Sequence, residues 1–182
     1  MDHTRDRVLK HAAELFAESG YKGVSMREIS AAAGISKASI YYYFPSKEEL
    51  YLSLIIRDME QLVDELEIIA AEPEVPLLLL RRFVECYVAF TRNKGPVIKL
   101  AFREMVGLGE RLHELLPSMM QRMQRSLKDI LVRGNLGMGK PEMAAYAIFG
   151  MVNMLMLHDF KEPIEYGDEI PLFICNLITG NN

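Results

Sequence analysis

Apolar positions recur at helical spacing from the first turns of the chain. Val8, Leu9, Ala12, Ala13, Leu15 and Phe16 fall on one side of a helix predicted over residues 4–19, and Gly20 follows as its stop. Ser25-Met26-Arg27-Glu28 has the form of a capping box, in which a hydroxyl and a carboxylate satisfy free N–H groups at a helix start. The short helix it opens stops at Gly34. Ser36 is placed to cap a third helix over residues 37–43, and Ser46-Lys47-Glu48-Glu49, after Pro45, supplies a second capping box. A fourth helix carries Leu50, Leu54, Ile55, Met59, Leu62, Val63, Leu66 and Ile69 on one side and runs to the break between Pro73 and Pro76.

Beyond that break, Gly95-Pro96, Gly107, Gly109, Pro117 and the stretches 134–141 and 163–171 are expected to divide the chain into about five helical pieces. Only Ile40-Tyr41-Tyr42-Tyr43-Phe44 is strand-like by propensity, and a lone strand of that length has no partner here. The pattern therefore predicts an all-α protein. Its first three helices form one unit, residues 1–48, and a long fourth helix joins it rigidly to a helical bundle, residues 49–182. Residues 143–157 are hydrophobic all round, which a surface helix cannot be. Ala144, Ala147 and Gly150, at three-residue steps, would admit a second copy closely, and Met154, Phe173 and Leu177 extend that seam onto a final helix.

The chain has 182 residues and is half apolar, enough for a packed core and too much for wholesale disorder. Its net charge of -4 gives no global sign of a nucleic-acid partner, so any such site must be local. It is local: residues 22–47 carry four basic side chains against one acid, Glu28. The charged start and the lack of an apolar run long enough to span a bilayer predict a cytoplasmic protein with no membrane partner. Cys86 and Cys175 make no disulfide framework, and His3, His11, His113 and His158 fall in no ligand spacing, so neither metal nor cofactor is expected. Residues 134–140 have phosphate-loop spacing, but Pro141 stands where a hydroxyl is required, and an interhelix loop explains every residue. No nucleophile elbow or zinc-protease motif is present, and no enzyme is predicted.

The two short helices joined through Ala33-Gly34-Ile35-Ser36 have the form of a helix-turn-helix. Ile40 and Phe44, four apart, are expected to face inward with Ile29, Ala32 and Ile35, leaving Lys37, Ala38, Ser39 and Tyr41 toward a ligand. Tyr41, Tyr42 and Tyr43 offer phenol donors to phosphate oxygens beside Lys22, Lys37 and Lys47. Nine of the twelve methionines lie between Met105 and Met156. Such residues adapt to apolar guests, so a pocket is expected around Met120, Met123 and Met151, with Tyr87, Arg103, Tyr146 and Asn153 as polar groups to orient a guest.

Ala13-x-Leu15-Phe16, Gly20-Tyr21, Ser25-x-x-x-Ile29, Ala33-Gly34-Ile35-Ser36 and Ile40-Tyr41-Tyr42-Tyr43-Phe44-x-Ser46-Lys47-x-x-Leu50 together resemble the amino-terminal domain of the tetracycline-repressor (TetR) family of bacterial transcription regulators. The resemblance covers about residues 4–52, and the rest agrees only in length and helical character. It implies that Ser25 binds a phosphate and that Arg27 reaches a base edge. Lys37, Ala38 and Ser39 would lie at the base-reading surface, Tyr41, Tyr43 and Lys47 at phosphates, and Ser36 at the DNA, with Tyr42 either supporting or contacting. It implies further a homodimer on a pseudo-palindromic duplex operator, released by an apolar or amphipathic effector. A DNA binder without a small ligand, and a helical carrier or enzyme for apolar molecules, are the competing readings.

Overall fold

The structure is a computed structural model that describes residues 3–104, 108–137, 139–157 and 169–179, and among these the side chains of 95–104, 108–113 and 155–157 are not described. The described residues form helices and their connections, with no strand. The order is α1 (His3–Ser19), α2 (Met26–Ala32), α3 (Lys37–Tyr43), α4 (Lys47–Ala71), α5 (Pro76–Glu104), α6 (Leu108–Arg133), α7 (Pro141–Leu157) and α8 (Ile170–Thr179).

Two hydrophobic cores share α4. The first joins Val8, Leu9, Ala12 and Phe16 of α1 to Ile29, Ile40 and Phe44, and is closed by the α4 residues Leu50, Leu54 and Ile55. The second begins further along α4, at Leu62, and gathers Phe83, Leu127, Ile148, Phe149 and Ile174 from the remaining helices. Ile56, Met59 and Phe90 touch both cores. At this junction Asp58 is buried. It accepts from Arg57 Nη2 at 2.9 Å and from Lys94 Nζ at 2.8 Å, so an ion pair pins α4 to α5 where the cores meet.

The carboxyl-terminal end of α4 is held by arginines. Arg122 of α6 donates to Glu67 Oε2 at 2.6 Å and to Asp64 Oδ1 at 2.8 Å. Arg133 donates to the carbonyl of Ala70, and Arg82 of α5 to Glu72. Several such bonds along one helix resist its rotation more than any single exposed pair would.

Three expected breaks are not breaks. α5 runs through Gly95-Pro96 to Glu104, and α6, which begins at Leu108, runs through Gly109 and Pro117, so among the described residues four helices follow α4, against about five expected. An internal proline removes one backbone hydrogen bond and costs about 3 kcal/mol. The fully buried Leu79, Leu80, Phe83 and Val84 of α5, and Leu127, Ile130 and Leu131 of α6, return more than that. The breaks at Gly107 and at 163–168 lie outside the described residues. The loop at 134–141 forms as expected: α6 ends at Arg133, Asn135, Gly137 and Gly139 adopt positive φ, and Pro141 opens α7.

Candidate nucleic-acid interface

The interface is built by caps and one turn. Ser25 caps α2 in a reciprocal box: its hydroxyl accepts from Glu28 N–H at 3.3 Å, while its own N–H and hydroxyl donate to Glu28 Oε2 at 2.7 Å. These bonds hold the Glu28 carboxyl below the usual carboxylate range, the Ser25 hydroxyl contributing most. The Ser25 hydroxyl proton is thereby engaged within the chain.

At the other end of α2, Gly34 N–H donates to Ala31 O at 3.1 Å and Ile35 N–H to Ser30 O at 3.0 Å, which closes the helix in a Schellman motif. Gly34 has φ +64°, a left-handed conformation that a Cβ would strain. Ser36 then caps α3, accepting from Ser39 N–H at 3.0 Å, with its oxygen 2.8 Å from Ser39 Oγ. Turn and cap together fix the direction of a seven-residue helix too short to hold itself.

Ile29, Ile40 and Phe44 turn inward as expected and Ile35 is half-buried, but the alanine that joins them is Ala33, at 2% exposure, and Ala32 faces solvent. Ala33 lies one turn from Ile29, so helical periodicity puts those two on one stripe. The opposite surface presents Ser25, Arg27, Ser36, Lys37, Ala38, Tyr41 and Tyr42, all exposed, while Ser39, Tyr43 and Lys47 are half-buried. Tyr42 stands furthest out, at 82% exposure, with its ring edge-on to Tyr43 at 5.3 Å.

Ser46 caps α4 by accepting from Glu49 N–H at 3.1 Å. Its hydroxyl also bonds the carboxylate of Glu48, whose pKa is lowered because its own backbone N–H, then Ser46, stabilise the charged form. Lys47 lies 4.1 Å above the ring of Tyr21, a contact that sequence spacing gave no means to find. Its ammonium pKa is lowered, chiefly by burial.

The expected pocket residues that are described lie in different surroundings. Tyr87 and Asn153 meet, with the phenol donating to Asn153 Oδ1 at 2.6 Å. Met123 is buried in the second core, and Met120 and Met151 are half-buried. Tyr146 is 64% exposed and lines a shallow groove between α6 and α7 with Arg125 and Lys128. Arg103 lies on α5, and its side chain is outside the described ones. The depressions lined by Gln121 and Lys128, by Gln61 and Cys86, and by Ile68 and Arg82 are open grooves on the surface.

The expected seam residues separate into two sets. Ala147, Gly150 and Met154 of α7 and Phe173 and Leu177 of α8 are exposed, as are Met143 and Leu172. Ala144 is instead buried, at 7% exposure, in the second core with Ala145, Ile148, Phe149 and Val152. Its methyl group packs against Gly137, leaving no room there for a Cβ. No helix among the described residues is long and apolar enough to cross a membrane, and none of their acidic, histidine and cysteine side chains cluster as metal ligands.

Residues 8–54, which span α1 to the first turns of α4, match the family of bacterial regulatory proteins, tetR family. The chain is 37% identical over 89 residues to the HTH-type transcriptional repressor NicS of Pseudomonas putida, a match covering 47% of this chain and 42% of NicS, so it spans less than half the length of that relative. It is 27% identical over 168 residues to the nucleoid occlusion factor SlmA of Vibrio cholerae, covering 86% of both chains. Among solved structures it is similar to the TetR family transcriptional regulator PfmR from Thermus thermophilus (TM-score 0.71, 26% identity, 96% of this chain and 98% of that one). It also has the fold of the regulator FadR from Bacillus subtilis, solved with stearoyl-CoA (TM-score 0.72, 20% identity, 97% of this chain and 98% of that one). The helix-turn-helix geometry, the matched residues and these likenesses agree: residues 8–54 are similar to the bacterial regulatory proteins of the tetR family, and the chain as a whole has the fold of regulators solved from that family.

Proposed function

We propose that this chain is a transcriptional regulator that binds duplex DNA as a homodimer and is released by an apolar or amphipathic effector, without catalysis. The carrying observation is the α3 surface: a helix oriented at both ends by caps, its apolar side sealed in the first core, its polar side bare. A helix so presented fits a major groove about 12 Å wide. Lys37, Ala38 and Ser39 then face base edges with Arg27 beside them. Ser25, Ser36, Tyr41, Tyr42, Tyr43 and Lys47 serve the phosphates, with the Ser25 hydroxyl turning its hydrogen bond from Glu28 to the phosphate to do so. Residues 1–48 are the reader in this reading, and residues 49–182 the sensing and pairing domain. The apolar face of α7 and α8 is the dimer seam, centred on Ala147, Gly150, Met154, Phe173 and Leu177, and Ala144 supports it from behind. Two reading helices spaced about 34 Å apart, or a multiple of that, address a pseudo-palindrome.

The effector site in this reading lies near Tyr87, Met120, Met123, Met151 and Asn153, with Arg103 and Tyr146 as its polar members. The stearoyl-CoA held by FadR makes acyl-CoA thioesters the first compounds to try, being amphipathic and anionic. A gel shift with genomic fragments, with and without an acyl-CoA series, tests the proposal. A retarded band abolished by one chain length supports it, and no retarded fragment at low salt refutes it.

A second reading, a DNA binder without a small ligand, is favoured by one observation. One relative matched over 86% of its length is a nucleoid occlusion factor. Retardation indifferent to every effector would select this reading. The cytoplasm follows as the site of action under either.

A further inference from the structure

Lys47 opens α4, and its ammonium is held in place. It sits 4.1 Å above the ring of Tyr21, the residue that follows the Gly20 stop of α1. That ring is itself immobilised: Phe16 lies 5.7 Å away, the nearly sealed Tyr51 lies 4.9 Å away edge-on, and the Tyr21 hydroxyl donates to Glu48 Oε1 at 3.0 Å. We propose that Tyr21 is a positioning residue for DNA binding, a fixed aromatic platform that holds the Lys47 ammonium where a phosphate meets it. The inference rests on the proposed assignment of Lys47 to a phosphate.

Two physical arguments carry it. A lysine free in solvent surrenders most of its rotamer freedom when a phosphate fixes it, whereas one already lying on a π face has lost that freedom in advance. The second argument concerns competition. Glu28 and Glu48 both lie within electrostatic reach of Lys47 and would neutralise it if their oxygens were open. The Tyr21 hydroxyl occupies Glu48, and the α2 capping box occupies Glu28. The platform therefore positions the cation and also keeps a neighbouring carboxylate from it. The lowered ammonium pKa of Lys47 agrees with a head group partly withdrawn from water onto the ring.

The test is a cycle of Tyr21→Leu, Lys47→Ala and the double variant, read as salt-dependent anisotropy of a labelled random-sequence duplex between about 50 and 200 mM salt. In the wild type, Lys47→Ala should lower the salt slope by about one. In the Tyr21→Leu background the same change should move it by less than half as much, while Tyr21→Phe, which keeps the ring but releases Glu48, should retain more of the effect than Tyr21→Leu. An equal effect of Lys47→Ala in both backgrounds overturns the platform and leaves the phosphate contact standing. No effect in the wild type removes the phosphate contact, and the platform with it. A wild type that binds no duplex defeats the underlying reading instead. Should Tyr21→Leu fail to fold, Tyr21→Met replaces it. In addition, the ε-methylene protons of Lys47 should be shifted upfield by ring current in the free wild type and lose that shift in the methionine variant. Unshifted protons in the wild type also overturn the platform.

Discussion

The hydroxyl of Tyr87 on α5 donates to the side-chain oxygen of Asn153 on α7, 66 positions later, at 2.6 Å. The Tyr87 ring is buried and meets Phe149 edge-on at 5.3 Å, so the only polar atom of a large core side chain is satisfied by one amide. Burial pushes the phenol pKa up. Asn153→Ala should therefore cost about 1 to 3 kcal/mol by leaving a desolvated donor unpaired. Tyr87→Phe combined with Asn153→Leu should cost less than the sum of the single changes. Urea denaturation of the four proteins checks this, and strict additivity would show that the two groups are not coupled.

The two alanines of α7 predict opposite outcomes. Ala147 is exposed and Ala144 is buried against Gly137. Ala147→Asp should leave the monomer folded and abolish the dimer, because an aspartate in an apolar seam has no partner. Ala144→Asp should instead lower stability by several kcal/mol, on the order expected for a buried unpaired charge. Light scattering beside circular dichroism separates the two; a dimeric Ala147→Asp protein would move the seam elsewhere.

Ser36 and Lys37, adjacent at the start of α3, should respond differently. Ser36→Ala removes the cap of a short helix and should cost about 1 kcal/mol of stability. Lys37→Ala touches an exposed side chain and should leave stability within about 0.5 kcal/mol. Duplex affinity should nevertheless fall in Lys37→Ala. Thermal melts and anisotropy on the same samples decide, and a Lys37→Ala protein that unfolds early would assign the lysine to structure.

Acid should weaken the α4–α6 contact. Hydrogen bonds from Arg122, above all other causes, hold the Glu67 carboxyl below its ordinary value of 4.5. A lowered folded-state pKa contributes stability above that ordinary value and loses it as pH falls through the folded value. Melting temperature should therefore drop as pH is taken below about 4.5, and Glu67→Gln should flatten part of that descent. A wild type and variant with parallel acid limbs would contradict this.

What the chain specified by itself was local. Capping serines at 25, 36 and 46, the stops at Gly20 and Gly34, and the apolar stripe of α4 fixed the first four helices within a residue or two, because each signal acts within one helical turn. The exposed face of α3 was legible for the same reason: Ile40 and Phe44 are one turn apart, so once they point inward Lys37 and Tyr41 point out. Long-range packing settled the rest. Gly95-Pro96 and Pro117 carry the chemistry of breaks, yet burial elsewhere in the same helices, at Leu79, Leu80, Phe83 and Val84 and at Leu127, Ile130 and Leu131, outweighs one lost hydrogen bond. The uniformly apolar α7 has no moment to announce which side is inside. Gly137 beneath Ala144 and Phe149 beside Tyr87 chose its buried face and left Ala147 and Gly150 in the open. Tyr21 under Lys47 is of the same kind, a contact across the α1–α4 corner that spacing along the chain cannot encode, because it exists only once the helices have closed on their shared core.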